Sequence, residues 1–185
     1  LEIDGATWAI ITIRNMEEAI AKKVPGTATD FFTAYIEAYG YYDLFLIHPE
    51  GRIFYSVAKE ADFGTNIISG PYAGSSLGSA VTEAIDTKEF AFGDFEPYEP
   101  SGGDPASFIA APLVKDGEVD MIVALQMPID RINAIMQERT GMGETGETYL
   151  VGSDKLMRSD SYLDPENHSV LASFARPETG SVDTE

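Results

Sequence analysis

The alternation of hydrophobic and polar residues predicts two hairpins, each of which follows a helical segment. Residues 43–48 form a short, nearly continuous apolar run, typical of a strand buried on both faces. Residues 49–51 (Pro-Glu-Gly) have turn chemistry, and residues 52–57 supply a second run rich in β-forming side chains. The same order returns at residues 147–159. It indicates either a second copy of one module or two unrelated hairpins, and the pattern alone favours neither.

Helical spacing of apolar residues predicts two helices before the first hairpin. Residues 8–24 read as a long amphipathic helix that ends at Pro25 and Gly26. A second helix, capped by Thr27 or Thr29, continues to Gly40. After the hairpin, residues 61–76 contain too many glycines and prolines for a regular element, and long loops of this kind are usually functional. Residues 76–86 then predict a short helix.

Three further strands complete the predicted sheet, at residues 89–95, 106–114 and 119–127. A turn-rich link at 96–105 and an Asp-Gly turn at 115–118 join them. In the last strand we expect the odd-numbered residues, Val119 to Met127, on one face, and Ile122, Ala124 and Gln126 on the other. The chain therefore predicts an α+β fold, a five-stranded antiparallel sheet with helices mainly on one face.

The C-terminal third is less regular. Residues 129–139 predict a helix with Ile129, Ile132, Ile135 and Met136 inside. After residue 161 the chain becomes polar, and residues 169–174 are the last expected element.

Composition narrows the classes of partner. The 185-residue chain suits one domain with an additional part, on a scale of roughly 100–200 residues per domain. Its formal charge of −19 disfavours nucleic acid and anionic lipid as partners. It has no cysteine, so disulfides, zinc–thiolate sites and thiol catalysis are excluded. No apolar run approaches the roughly 18 residues of a membrane span. The start at Leu1 and the end at Glu185, without a closing element, lead us to expect a fragment of a larger protein.

No motif indicates catalysis, a metal or a cofactor. His48 and His168 lie far apart and have no partner at metal-ligand spacing, so His48 is interpreted as a turn residue. Carboxylates are so abundant that chance pairing is the default explanation for any acid–base pair. The glycine-rich residues 141–146 follow a helix and lack the lysine of a phosphate cradle, so we interpret them as a junction between modules. We expect a protein that is not an enzyme.

Small-molecule binding has some support from the loop around Tyr72 and the link around Tyr98, which flank the same sheet. Their glycines allow backbone to approach a ligand, and tyrosine offers an apolar ring with a polar tip. The alternative is that both tyrosines are ordinary packing residues of a lid.

Several segments resemble a known family. They are GYYDLFLIHPEGRIFYSVAKEADFGTN, GPY, FIAAPL, ALQMPIDRINAIM and GETGETYLVGSDKLMRSDS. Their order is similar to that of the extracellular double-Cache sensor region of methyl-accepting chemotaxis proteins and related sensor kinases or cyclases, across residues 8–161. The last segment resembles the opening of the second, membrane-proximal Cache module, which favours the repeat interpretation.

The resemblance implies a division into a helical stalk (1–40), a membrane-distal PAS-like Cache module (41–140), and an incomplete membrane-proximal module with a tail (141–185). The distal module would capture a small molecule between its sheet and the overlying loops. The intact receptor would be a homodimer, extracellular or periplasmic in this part, with transmembrane helices outside this chain and a cytoplasmic output domain.

The resemblance also implies site residues. The amino-acid-sensing branch has an arginine two residues before a Trp-Tyr pair, a Tyr-x-Asp on the middle strand and an aspartate on the last strand. Here the arginine position falls at Ser69, the pair at Pro71-Tyr72, the Tyr-x-Asp at Tyr98 and Pro100, and the last aspartate at Gln126, so only the tyrosines match. We list the expected ligand-binding residues as Tyr55, Ser69, Tyr72, Tyr98 and Gln126.

Without that arginine nothing obvious forms a forked salt bridge to an α-carboxylate, and without the aspartates nothing obvious neutralises an α-ammonium. The sequence therefore favours a neutral or mixed hydrogen-bonding ligand over a classical amino acid.

Three functions remain open at this point. The leading one is a ligand-binding sensor domain of a chemoreceptor, with a histidine kinase or cyclase as the alternative receptor. The second is a dimerisation or protein-interaction module without a small ligand, which predicts no saturable binding and a concentration-dependent mass. The third is a hydrolase with clustered carboxylates, which predicts turnover of a substrate.

Overall fold

The computed structural model describes residues 2–3, 6–7 and 28–182. Two short strands, β1 (Glu2–Ile3) and β2 (Ala6–Thr7), pair with each other. The main sheet consists of β3 (Asp43–Ile47), β4 (Ile53–Ser56), β5 (Ala91–Pro97), β6 (Pro105–Lys115) and β7 (Glu118–Gln126). All its pairs are antiparallel, in the order β4-β3-β7-β6-β5. The predicted five-stranded antiparallel sheet is confirmed.

The helices are α1 (Ala28–Tyr39), α2 (Ser76–Thr87), α3 (Ile129–Met136), α4 (Val170–Ala175) and α5 (Pro177–Gly180), with a 3-10 turn at Glu99–Ser101. The predicted helix at residues 8–24 lies outside the described residues. The expectation of helices mainly on one face is wrong, because α1 packs on one face of the sheet and α2 on the other. The reason lies in β3. All its residues are buried, so both faces of the sheet must be covered by other elements.

Two cores sandwich the sheet. The α2-side core joins Phe45, Ile47, Phe108, Ile122 and Ala124 to Leu77, Val81 and Ala84 of α2. The α1-side core joins Leu44, Leu46, Phe54 and Tyr55 to Ile36 of α1. Alternate residues along β3 enter alternate cores, as a two-residue period requires.

A bulge in the pairing of β6 with β7 places Val119 on a different face of the sheet from the predicted one. The β6–β7 turn has positive φ at Asp116 (53°) and Gly117 (83°), the conformation that the Asp-Gly step predicts. Val114 then pairs with Val119 but Leu113 pairs with Met121, so Asp120 has no opposite partner. This bulge breaks the alternation, and Val119 packs against the α2-side core instead of sharing a face with Met121.

The N-terminus of α2 sits close to β5. The Ser75 hydroxyl accepts a hydrogen bond from the Gly78 N–H at 3.2 Å and caps the helix. Directly beneath, a Cβ added at Gly93 of β5 would lie 2.4 Å from the Ser76 carbonyl oxygen. Only glycine allows this approach, which fixes where α2 crosses the sheet.

The segment after α3 forms a third core against β5. Met157 and Val170 are fully buried there with Phe95 of β5. The predicted strands at 147–152 and 156–159 are wrong as regular strands, because the described residues form only an isolated bridge between Val151 and Met157. The Leu150 N–H donates to the Ser159 hydroxyl at 2.9 Å. In a longer pair of strands this N–H would donate to a backbone carbonyl instead.

Helix α3 is shorter than predicted and buries fewer residues. It ends at Met136, and Ile135 is 75% exposed, so its predicted place inside is wrong. Ile129 and Ile132 pack against the third core. The exposed Ile135 side chain is not part of that core.

Candidate functional site

Buried polar side chains gather at one end of the main sheet. Asp43 begins β3 and pairs with Gln126 at the end of β7, and Gln126 pairs in turn with Phe108 of β6. The loop at residues 57–75 and the link at residues 98–104 are bonded to this end by side chains. We call the group the polar cluster; its members are Asp43, Ser56, Glu60, Asp62, Tyr98, Ser101 and Gln126.

Asp43 anchors the start of the loop. One carboxylate oxygen accepts hydrogen bonds from the backbone N–H groups of Leu44 (2.7 Å), Val57 (2.8 Å) and Ala58 (3.0 Å). The other accepts from the Ser56 hydroxyl at 2.7 Å. Burial still raises the pKa of Asp43, although these donors oppose that change. Both oxygens are occupied, so Asp43 holds the chain in place.

Asp62 and Tyr98 form the buried centre of the polar cluster. The Tyr98 hydroxyl donates to Asp62 Oδ2 at 2.5 Å, and the Tyr98 ring lies edge-on to Phe108 with centroids 4.8 Å apart. Burial raises the pKa of Asp62, with smaller increases from the charges of Asp43 and Glu60. Burial and the Asp62 hydrogen bond raise the pKa of Tyr98, which keeps its phenol protonated. Asp62 Oδ1 has no hydrogen-bond partner among the described residues.

A second chain of hydrogen bonds crosses from the loop to β7. Glu60 accepts from the Tyr42 hydroxyl at 2.9 Å and from the Ser101 hydroxyl at 2.8 Å. Gln126 Nε2 donates to the Ser101 hydroxyl at 3.4 Å. Gln126 is 6% exposed, and its Oε1 is without a partner in the part of the chain that the structure describes. The polar cluster thus holds two buried acceptors that lack donors.

Buried acceptors without donors lower the stability of the fold, and they can accept hydrogen bonds from a bound molecule. Each lowers stability by about 1–3 kcal/mol unless something donates to it. The hydrogen bonds that Asp43, Glu60 and Asp62 accept come from hydroxyl and backbone N–H groups. The two acceptors without donors can therefore receive hydrogen bonds from a polar or cationic molecule.

Metal binding is not supported within the described residues, where no group of three or more His, Asp or Glu side chains is placed to hold an ion. His48 is a turn residue, as predicted, and its Nδ1 accepts from the Glu50 N–H at 3.1 Å. His168 contacts Asp164 at 3.0 Å in the C-terminal segment.

The five predicted binding residues do not form one site. Tyr98 and Gln126 belong to the polar cluster, and Tyr72 is half-buried against the α2-side core. Ser69 is exposed, and its N–H donates to Asn66 Oδ1 at 2.9 Å. Tyr55 lies on the opposite face, with its ring 5.3 Å from Phe32 of α1. The register shift beside Phe54 explains this, because it turns Tyr55 away from the face that Ile53 occupies.

Sequence reasoning missed five members of the polar cluster: Asp43, Ser56, Glu60, Asp62 and Ser101. Asp62 is a buried aspartate that the comparison with the family motif does not indicate. Strand alternation predicts the position of Asp43. It lies two residues before Phe45 and four before Ile47, so its side chain must face the same core. Glu60 and Asp62 lie in an irregular loop, where no periodicity marks which side chains turn inward.

Comparison with known proteins identifies the type of fold. No family model matches the chain. A protein described as a probable chemoreceptor of Sinorhizobium fredii (strain NBRC 101917 / NGR234) is 28% identical over 126 residues, which are 66% of this chain and 16% of that protein. The sensor domain of the V. cholerae histidine kinase DctB matches with a TM-score of 0.53 at 15% identity, over 85% of this chain and 56% of that one.

The ligand-binding domain of the Pseudomonas aeruginosa PAO1 amino acid chemoreceptor PctC, in complex with GABA, also has a TM-score of 0.53. It is 14% identical, over 94% of this chain and 73% of that one. The fold is therefore that of Cache-type sensor domains, as the sequence resemblance predicts. Among the described residues no helix combines the length and the apolar character that crossing a bilayer demands.

Proposed function

We propose that the chain is the ligand-binding sensor domain of a transmembrane chemoreceptor and captures a small molecule at the polar cluster. The observation that carries this proposal is the pair of buried acceptors without donors, Asp62 Oδ1 and Gln126 Oε1. A bound molecule would supply the missing hydrogen bonds. The fold shared with chemoreceptor ligand-binding domains supports binding rather than catalysis.

Ligand binding at the polar cluster would change how the covering segments hold the sheet. Asp62 and Glu60 belong to the loop, Tyr98 and Ser101 to the link, and Gln126 to β7. A ligand that bridges them would favour one arrangement of these segments over others, and its differential affinity sets the size of the shift. In the proposed receptor, residues 1–40 are the stalk, 41–140 the membrane-distal module and 141–185 the start of the membrane-proximal module. The receptor is a homodimer with this part in the periplasm.

A metabolite screen by thermal shift tests the proposal. A ligand at 100 times its Kd adds about 2.7 kcal/mol to the free energy of unfolding, which is well within the range of the method. Gln126→Ala should reduce or abolish the shift. Gln137→Ala is the matched control, because Gln137 is a half-buried glutamine whose amide donates to the Asp160 carbonyl, outside the polar cluster. No stabilising compound in a broad screen, together with a mass that rises with concentration, would instead favour an interaction module.

A second candidate receptor is a histidine kinase, favoured by the similarity to the DctB sensor domain. Ligand binding by this chain does not distinguish the two. Hybrid proteins do: joined to the signalling half of a chemoreceptor, the chain should alter swimming behaviour when ligand is added. A hybrid that responds only when joined to a kinase would favour the second candidate.

A further inference from the structure

We propose that the contact between the loop (residues 57–75) and the link (residues 98–104) is a proton-sensitive latch. In acid, a proton from the solvent binds to Asp62 and the loop is fastened to the link. Towards neutral pH the proton is lost and the contact is weakened. This property belongs to the chain without any ligand, so it goes beyond the proposed function.

Carboxylates of the loop make the contact with the link. The Tyr98 hydroxyl donates to Asp62 Oδ2 at 2.5 Å, and the Ser101 hydroxyl donates to Glu60 at 2.8 Å. The two acceptors are separated by one residue in the loop. The strength of this contact therefore depends on the protonation of two neighbouring acidic groups.

Asp62 lies where a negative charge is poorly compensated. Its side chain is fully buried, and Oδ1 has no hydrogen-bond partner among the described residues. A buried carboxylate that is only partly hydrogen-bonded is costly in its charged form, and a bound proton removes the charge. Oδ1 can take this proton without displacing a donor, while Oδ2 still accepts from Tyr98.

The titratable groups that act on Asp62 come from the link, the sheet and the loop. Burial is the largest cause of the raised pKa of Asp62. The hydrogen bond from Tyr98 of the link opposes it, because that bond stabilises the ionised carboxylate. The charges of Asp43 on β3 and Glu60 in the loop are negative, and both raise the pKa further.

The direction of the response follows from the burial of Asp62. When the loop leaves the link, Asp62 enters water and regains the proton affinity of an ordinary aspartate. The closed state therefore binds the proton more tightly than the open state, since its pKa is the raised one. As pH falls, proton binding shifts the equilibrium towards the closed state.

The loop is anchored on both sides of the latch. The Val57 N–H donates to the Asp43 carboxylate at 2.8 Å, and the Ile53 N–H donates to the Thr65 carbonyl oxygen at 2.9 Å. The part of the loop that the latch controls therefore lies within residues 58–64. Local opening of such a part needs less free energy than unfolding of the sheet.

Hydrogen exchange of the whole chain without ligand, followed by mass spectrometry, tests the latch between about pH 8 and about pH 5. The opening constant of residues 58–64, corrected for the pH dependence of intrinsic exchange, should fall at least threefold towards the acid end. Peptides of α2 should exchange more slowly at every pH, which would show that the loop opens without global unfolding.

Two variants and one control assign the response to Asp62. Asp62→Asn cannot bind the proton, so its opening constant should change less than twofold over the same range. Tyr98→Phe keeps the buried ring but removes the donor that stabilises the ionised carboxylate, so the midpoint of the response should move to higher pH. Asp116→Asn removes a carboxylate at the exposed β6–β7 turn and should respond like the wild type.

Each other outcome would overturn the latch. It is wrong if Asp62→Asn retains the pH response, or if residues 58–64 exchange no faster than α2. Tyr98→Phe gives a separate answer if Asp62→Asn fails to fold, because a midpoint that stays in place or moves to lower pH contradicts the proposal. No ligand is present in these measurements, so their failure leaves the sensor proposal to the metabolite screen.

Discussion

At the scale of single residues, Asp62 links binding to stability. Its carboxylate is fully buried with one oxygen lacking a donor, and burial raises its pKa. Asparagine has the shape of the neutral carboxylic acid, so Asp62→Asn should remove the cost of a buried charge. We expect the free energy of unfolding at pH 7 to rise by up to about 1 kcal/mol, measured by urea denaturation without ligand. A clear loss of stability would show that Asp62 is needed for folding rather than for binding.

The pH dependence of this difference has a defined sign. A raised pKa in the folded state means that the folded protein takes up the proton more readily than the unfolded chain. The wild type should therefore gain stability relative to Asp62→Asn as pH falls from 7 towards 4. Asp43, Glu60 and Tyr98, which face Asp62, are present in both proteins, so the comparison isolates Asp62.

The residue scale also shows what the sequence could reveal about the site. The family resemblance indicates Tyr98 and Gln126, and strand alternation also assigns Gln126 to the face of Ile122 and Ala124. Tyr55 lies on the face opposite to the polar cluster because of a register shift beside Phe54, which leaves no trace in the hydrophobic pattern. Asp62 was missed because its position depends on the path of an irregular loop. Side chains in regular strands can be predicted from sequence, whereas those in loops follow tertiary contacts.

At the scale of elements, the contact between α2 and β5 depends on one glycine. A methyl group at Gly93 would meet the backbone of Ser76, which cannot move without displacing the start of α2. We expect Gly93→Ala to lower the free energy of unfolding by about 1–3 kcal/mol, measured by urea denaturation. Gly74→Ala is the control, because a Cβ there meets nothing within 4 Å, and it should be neutral or slightly stabilising. Equal effects of the two would exclude a steric cause.

An ion pair fastens the C-terminal segment to β5. Arg158, 9% exposed, donates from Nε and Nη2 to the two oxygens of Asp94 at 2.8 Å, and from Nη2 to Asp154 at 3.0 Å. Bidentate pairs of this kind are stronger than ordinary surface pairs. Asp94→Asn should lower the free energy of unfolding by about 1–2 kcal/mol. This is the lower part of the range for hydrogen bonds between charged groups, because Asp94 is half exposed and water screens the pair.

The pH dependence of the Asp94 pair runs opposite to that of Asp62. The Arg158 hydrogen bonds lower the pKa of Asp94. Its stabilisation is therefore present above the unfolded pKa and is lost as pH falls through the lower folded value. The difference between wild type and Asp94→Asn should shrink in acid. An Asp94→Asn effect that persists unchanged in acid would point to packing instead of charge.

Strands and helices were predicted well where the hydrophobic pattern of the sequence matches the burial seen in the structure. β3 and the β6–β7 hairpin follow from a continuous apolar run and an Asp-Gly turn, and both are found. The strands expected at 147–159 are absent as regular strands because side-chain hydrogen bonds such as Ser159 to Leu150 replace ladder bonds. Bulges displaced Val119 and Tyr55. Whether a side chain replaces a backbone group in a hydrogen bond depends on the three-dimensional structure, and the hydrophobic periodicity of the sequence does not reveal it.

At the scale of the whole molecule, the sheet connects three cores. α1 and α2 cover its two faces, and the C-terminal segment covers β5. The polar cluster lies at the end of the sheet where β3 and β6 begin and β7 ends. The loop and the link that cover it are held both by hydrogen bonds and by the burial of Ile67 and Tyr98 in the α2-side core.

Whether the C-terminal segment unfolds with the sheet is the last prediction. Met157 is fully buried in the third core against Phe95 of β5, so Met157→Ala should cost about 2–5 kcal/mol. Because the core is shared with β5, we expect one cooperative transition at a lower urea concentration, with tyrosine fluorescence and far-ultraviolet circular dichroism coinciding. Leu150→Ala, at a residue that is 44% exposed in the same segment, should change little. Two separated transitions in Met157→Ala would show instead that the segment beyond α3 is an independent unit, whose loss leaves the sheet folded.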